Sequence, residues 1–240
     1  VSLDQRNVCF NLVFPVDTYY LKEWAGVNVD NGLPMWYRYE TDANGNETRT
    51  TTSNYSNATF RNVGKGNPDL FGGFSTALSY KQFDLNAVFG FSLGGKLYNY
   101  SRQEFDSDGT YTDRNQMKLQ DGWSRWEKPG DVATHPIARY DNQDKGNSPS
   151  TRFLESNNFL KMRSLTLGYN FDLKKYNIKN LRVFLAGENL FTITNYSGVD
   201  PELPLTEPDG KGGGGQMIRS TGVSVYPMVR KYMFGASVTF

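Results

Sequence analysis

Tyr232-Met233-Phe234-Gly235-Ala236-Ser237-Val238-Thr239-Phe240 closes the sequence. Tyr232, Phe234, Ala236, Val238 and Phe240 fall on one side of an extended chain, and Gly235, Ser237 and Thr239 fall on the other, with Met233 as the one break. Alternation with a period of two means a strand with one greasy face. Phe234, Val238 and the terminal Phe240 carry the pattern to an aromatic carboxyl terminus.

Such an ending looks like the closing strand of an outer-membrane β-barrel, and composition agrees with a barrel rather than a helical membrane protein. Mean hydropathy is −0.60, and no run approaches the roughly 18 apolar residues that a spanning helix needs. Barrel strands dilute each lipid-facing residue with a lumen-facing polar one, so their hydropathy signal is weak. The 24 glycines and 15% aromatic content suit short strands, tight turns and interfacial girdles. A net charge of +1 provides no electrostatic case for nucleic acid. One cysteine, Cys9, excludes an intramolecular disulfide and reads as a small hydrophobe, and a single histidine, His135, excludes a His-rich metal site.

Two further strand pairs stand out. Phe74–Tyr80 and Phe83–Leu93 are separated by Lys81 and Gln82; in the second strand Phe83, Leu85, Ala87, Phe89, Phe91 and Leu93 share one face against Asp84, Asn86, Val88, Gly90 and Ser92. Large apolar side chains on one face and small or polar ones on the other suit a lipid-facing wall around a wet lumen. Phe159–Phe171 and Leu181–Ile193 form the next pair, with Leu165, Leu167, Tyr169 and Phe171 alternating against Ser164, Thr166, Gly168 and Asn170. Lys174, Lys175, Lys179 and Asn180 make the compact connection. The predicted fold is all-β: antiparallel strands of a transmembrane barrel. Val8, Phe10, Leu12 and Phe14 also alternate, so Val1–Val16 can be one more strand.

Long polar segments, Gly95–Asn158 and Thr194–Arg230, lie between these strands, punctuated by Pro-Gly, Asp-Gly and the glycines 212–215. Loops of this length are functional or disordered. Membrane barrels of this kind put short turns in the periplasm and long loops outside, which places the C-terminus, Lys81 and Lys175 on the periplasmic side.

Five segments order themselves into a recognisable set: Trp24-Ala-Gly-Val-Asn28 with Gly32-Leu-Pro-Met-Trp-Tyr37, Asn67-Pro-Asp-Leu-Phe-Gly-Gly-Phe74, Gly94-Gly-Lys-Leu-Tyr-Asn99, Leu160–Asn170, and Leu181–Gly198 followed by Asp200-Pro-Glu202. Together they resemble the SusC/RagA family of TonB-dependent outer-membrane transporters over roughly Tyr19–Phe240; Val1–Asp17 departs from the pattern. The resemblance implies import rather than catalysis: a barrel plugged from its N-terminal side, driven by the TonB complex and served by a SusD-like surface lipoprotein that captures oligosaccharides or, in some members, peptides. It implies a cell outer membrane location in a Gram-negative, Bacteroidetes-like bacterium, and assembly by the barrel-assembly machinery, for which Phe240, Val238 and Phe234 form the expected signal. Plugged outer-membrane transporters have about 22 strands. Residues 1–240 supply five clear strands, and an open sheet edge in lipid would leave backbone groups unpaired. The chain is therefore expected to be the C-terminal segment of a larger barrel, with plug and TonB-contacting segment elsewhere.

Within this frame the lipid-facing residues are expected to be Phe83, Leu85, Phe89, Phe91, Leu165, Leu167 and Tyr169. The external loop offers Tyr111, Asp113, Trp123, Trp126 and Tyr140 as candidates for contact with substrate or partner, against the plainer reading that the aromatics pack the loop into a lid. Asp106, Asp108 and Asp113 are spaced like a calcium loop without the complete ligand pattern or its distal glutamate, so a calcium cofactor is the weaker reading and none the stronger. His135 has no Ser or Cys partner in a catalytic motif and reads as a structural loop residue.

Oligosaccharide import leads, with peptide import as the alternative. A soluble carbohydrate-binding β-sandwich is the rival of another class; it would bury its apolar strand face in a core and need no aromatic terminus. A barrel enzyme or passive porin is the third reading, and no paired carboxylates or nucleophile occupy lumen-facing strand positions.

Overall fold

The computed structural model describes residues 18–113, 115–173, 178–202 and 228–240. Val1–Val16, Cys9, Lys174, Lys175 and the glycines 212–215 lie outside the described residues. Twelve strands and one short α-helix are present among the described residues, and they divide between two compact units.

The first unit contains the described residues of 18–66 and 96–155. β1 (Thr18–Lys22) pairs antiparallel with β5 (Phe60–Lys65), and β2 (Trp24–Val27), β3 (Pro34–Thr41) and β4 (Glu47–Thr52) form a second antiparallel sheet. β8 (Lys96–Tyr98) pairs with β9 (Leu154–Ser156). The tight β3–β4 turn follows from Asp42, whose Oδ1 accepts the Asn44 and Asn46 amides at 2.9 and 2.8 Å. Tyr19, Leu21, Tyr98 and Phe153 make the apolar core, with Val63, Tyr100 and Leu154 packed against it. A second aromatic cluster centres on buried Trp36, which meets Trp24 and Tyr55 edge-on at 5.7 and 5.2 Å. Helix α1 (Tyr100–Phe105) starts where the Asn99 side chain accepts the Arg102 amide at 3.0 Å. None of these seven short strands was expected from alternation, and the segment 95–158 is not the featureless loop that its polarity suggested.

The second unit contains the described residues of 67–95, 156–202 and 226–240. Its five-stranded antiparallel sheet runs β6 (Leu70–Tyr80), β7 (Phe83–Leu93), β10 (Phe159–Phe171), β11 (Asn180–Thr194), β12 (Lys231–Thr239), each neighbour hydrogen-bonded to the next. These are the five strands expected, with β6 beginning four residues earlier than alternation suggested. Tyr80 lies opposite Phe83, leaving Lys81 and Gln82 as a two-residue turn with Lys81 at φ 55.

Register aligns the faces across the whole sheet. Leu78, Leu85, Leu167, Leu185 and Phe234 are successive cross-strand partners, so one row of large apolar residues crosses all five strands. Tyr80, Phe83, Tyr169, Val183 and Ala236 form the row beside it. Phe83, Leu85, Phe89, Phe91, Leu165, Leu167 and Tyr169 thus share a single face, and Leu78, Phe83, Leu167, Leu185 and Phe234 on it are solvent-exposed.

One irregularity makes this possible. The pairing of β10 with β7 shifts between Met162 and Ser164, where β10 carries an extra residue. Before the bulge, Leu160 and Met162 share the apolar face with Phe91 and Phe89; after it, Leu165, Leu167 and Tyr169 do. Strict alternation would have put Lys161 and Arg163 on the same face as Leu165, whereas the bulge turns them to the polar side.

Candidate functional site

The polar face of the five-stranded sheet carries three ionic clusters. Lys161 is almost fully buried, and its Nζ lies 2.8 Å from Asp200 Oδ2 and 3.0 Å from Glu202 Oε2; Arg163 also pairs with Glu202. Gly90 leaves the space that Arg163 occupies, since a Cβ there would run into its guanidinium. Arg182 donates to Asp84 through Nε at 3.1 Å and Nη2 at 2.5 Å, and Asn170 Nδ2 reaches the same carboxylate at 3.0 Å. Lys231 lies 3.3 Å from Glu188. The positive and negative side chains on this face are matched, which is how charge persists on a wall without a large penalty.

The first unit has a polar core of its own. Asp106 accepts from Arg102 Nε at 2.8 Å and lies 3.2 Å from His135 Nε2. Arg102 also reaches Glu155 at 3.2 Å, Asp108 accepts from Arg125 at 2.7 Å, and Arg152 bonds Asp108 through both terminal nitrogens. Three guanidiniums therefore face three carboxylates. Burial opposes ionisation of Asp106, but the His135 hydrogen bond and the charges of Arg102, His135 and Arg152 outweigh it and hold the carboxyl below its ordinary range.

The loop candidates are placed unequally by this core. Trp126 is only 7% exposed; its indole N–H donates to the Val29 carbonyl at 3.0 Å, and its ring lies so close to Gly32 (φ +71) that a Cβ there would collide with it. It is a packing residue of the first unit, not a platform open to a ligand. Trp123 is half-buried, with its ring 5.1 Å from the His135 ring and the Arg102 guanidinium 4.4 Å over it. Tyr111 is partly buried and its phenol pKa is raised, by burial first and by Tyr100 second. Tyr140 is 71% exposed and Asp113 is exposed, so of the five loop candidates these two are the most open to solvent.

Asp106 and Asp108 are paired with Arg102, Arg125 and Arg152, which removes the uncompensated acidic charge that a calcium loop depends on. Among the described residues no group of three His, Cys, Asp or Glu side chains could hold a metal ion. His135 is fully buried, its Nδ1 2.9 Å from Thr134 Oγ1.

The Lys161 and Arg182 clusters were missed by motif reading because their partners are remote in sequence, 39 residues away for Lys161–Asp200 and 98 for Arg182–Asp84. The available signal was Lys161 and Arg163 falling at odd positions ahead of Leu165, a clash of charge with the apolar register that only a bulge resolves.

A sheet whose exposed face is apolar and whose opposite face holds paired charges is the wall of a transmembrane β-barrel, here open because the chain contributes part of it. No protein-family model matches the chain. It is 27% identical over 181 residues to TonB-dependent receptor P3 of Formosa agariphila, covering 74% of this chain and 17% of that protein. It is 26% identical over 194 residues to TonB-dependent receptor SusC of Bacteroides thetaiotaomicron, covering 79% and 17%. Among solved structures, the RagAB peptide transporter superposes with a TM-score of 0.72 and 26% identity over the whole of this chain and 24% of the matched chain. The chain is similar to the SusC/RagA group of TonB-dependent receptors, and it spans about a sixth of the length of these curated relatives.

Proposed function

We propose that this chain is part of an outer-membrane importer that takes up nutrients by TonB-coupled transport. The observation that carries the reading is the apolar row from Leu78 to Phe234 on one face of the sheet, opposite the paired charges of Asp84, Arg182, Lys161 and Asp200. That arrangement suits lipid outside and a wet lumen inside. A soluble sandwich would cover the apolar face with a second sheet, and among the described residues those side chains are exposed.

In this reading Phe83, Leu85, Phe89, Phe91, Leu165, Leu167 and Tyr169 face lipid. The Lys81–Gln82 turn and the C-terminus lie in the periplasm, and segments 95–158 and 194–230 leave the wall on the external side. There Tyr140, Asp113 and the accessible part of Trp123 meet substrate or a SusD-like surface lipoprotein. Phe240, Val238 and Phe234 are read by the barrel-assembly machinery, and the TonB complex engages a part of the receptor outside this chain.

Oligosaccharide import is the reading that the sequence resemblance favoured. Peptide import has a specific observation on its side, the likeness to a peptide transporter over the full length of the chain. Growth of a strain lacking the parent receptor, with defined oligosaccharides or short peptides as sole carbon source, separates the two. Uptake of the cognate nutrient should stop in the deletion strain and in wild-type cells treated with a protonophore. Protonophore-insensitive uptake would make the barrel a passive pore and overturn the proposal.

A further inference from the structure

β4 is one of the two edge strands of the β2–β3–β4 sheet. The hairpin register is set at its turn, where the Asp42 amide donates to the Asn46 carbonyl at 2.9 Å. Three and five residues back from Asp42, Tyr39 and Tyr37 point their backbone groups away from β4: the Tyr37 amide goes to the Glu23 carbonyl, the Tyr39 amide to Thr59 Oγ1, and the Tyr37 carbonyl accepts the Thr59 amide. In an antiparallel ladder the residue opposite a non-hydrogen-bonded partner also points outward. Thr51 opposite Tyr37, Arg49 opposite Tyr39 and Glu47 opposite Thr41 therefore turn their amides and carbonyls away from the sheet. Among the described residues nothing pairs with these groups.

Edges of this kind are usually blunted by a bulge, a proline or inward-pointing charge. β4 has no register shift over six residues and reads Glu-Thr-Arg-Thr-Thr-Thr, rich in β-branched threonine, with residues 47–51 exposed. Beside it lies an open groove of about 610 Å³ lined by Glu40, Thr41, Asp42 and Thr48. Glu40 is bridged by Arg38 at the surface, while the Asp42 carboxylate is satisfied by Asn44 and Asn46 and carries its charge without a cation. The groove is net acidic.

We propose that the outer edge of β4 accepts an extended strand offered by a partner protein, pairing with the main chain of Glu47, Arg49 and Thr51 and placing a Lys or Arg side chain in the groove beside Glu40 and Asp42. A row of alternating amides and carbonyls is matched in spacing and polarity by another extended polypeptide backbone, and the acidic groove selects the side chain. The inference does not depend on transport, since it concerns one hairpin of the first unit.

The test uses the full-length receptor purified in detergent and a fluorescent, terminally blocked peptide, Thr-Val-Lys-Val-Thr-Val, read by anisotropy. Thr51→Pro removes an outward N–H while leaving the β3–β4 hydrogen bonds intact. Affinity should fall about tenfold or more in Thr51→Pro, and by a similar factor when the peptide lysine is replaced by glutamate; Thr51→Val should stay within about twofold. Glu40→Gln should weaken the lysine peptide alone, which separates the groove from any folding defect of the proline variant. Equal binding by wild type and Thr51→Pro overturns the proposal. So does a free-ended peptide that binds about tenfold tighter than the blocked one, which would make the occupant a small peptide ligand. Absence of peptide binding together with receptor self-association that Thr51→Pro abolishes would assign the edge to a second copy and overturn it as well.

Discussion

Lys161 Nζ lies 2.8 Å from Asp200 Oδ2, joining the polar side of β10 to the segment that follows β11. The ammonium is withdrawn from solvent, and Glu202 and Arg163 complete the cluster. Removing one partner of a buried pair strands the other charge and costs about 3–5 kcal/mol. Lys161→Met should therefore reduce the folded, heat-modifiable fraction strongly. Asp200→Asn should be milder because Glu202 still compensates the ammonium, and a larger loss for Asp200→Asn than for Lys161→Met would contradict the pairing.

Leu167 and Leu85 face each other in the apolar row, and Asn86 and Thr166 face each other on the opposite side. If the row meets lipid near the bilayer midplane, Leu167→Arg or Leu85→Arg should destabilise by about 2–4 kcal/mol and Asn86→Arg by much less. Urea titration of the receptor refolded in vesicles measures both, and equal penalties on the two faces would defeat the membrane orientation.

Trp126 should matter for the stability of the first unit rather than for ligand affinity. Trp126→Ala removes a buried indole and its bond to Val29, a change worth about 3–5 kcal/mol. Limited proteolysis of the full-length receptor should show cleavage within 96–155 in this variant. Tyr140→Ala should leave the protease pattern unchanged and alter only nutrient affinity. A resistant Trp126→Ala receptor would show that the ring is dispensable to packing.

Asp106 makes the first unit acid-sensitive. Its folded-state pKa is lowered, so its contribution is complete above the ordinary carboxylate value of about 3.9 and is lost as pH falls through the lower folded value. Hydrogen exchange of residues 96–155 should accelerate as pH is lowered through this window beyond its intrinsic pH dependence. Asp106→Asn should abolish that extra acceleration and leave the region less protected at neutral pH.

Alternation in the amino-acid sequence was enough to locate β6, β7, β10, β11 and β12 and the two-residue turn at Lys81–Gln82, because a two-residue period and a tight turn are local properties. It also assigned Phe83–Phe91 and Leu165–Tyr169 to one face. Tertiary structure alone decided that β10 changes face between Met162 and Ser164: a one-residue slip is nearly silent in local propensity, yet it sets which face every later side chain occupies. The slip is stabilised by partners at a distance, Asp200 and Glu202 for Lys161 and Arg163. The core of the first unit was hidden for the same reason. Tyr19, Tyr98 and Phe153 lie far apart in sequence and carry no shared period, and Asp106, Asp108, Trp123 and Trp126 acquire their roles only when Arg102, Arg152 and His135 fold against them. Local periodicity specifies a strand and its faces; register, burial and charge pairing belong to the folded chain.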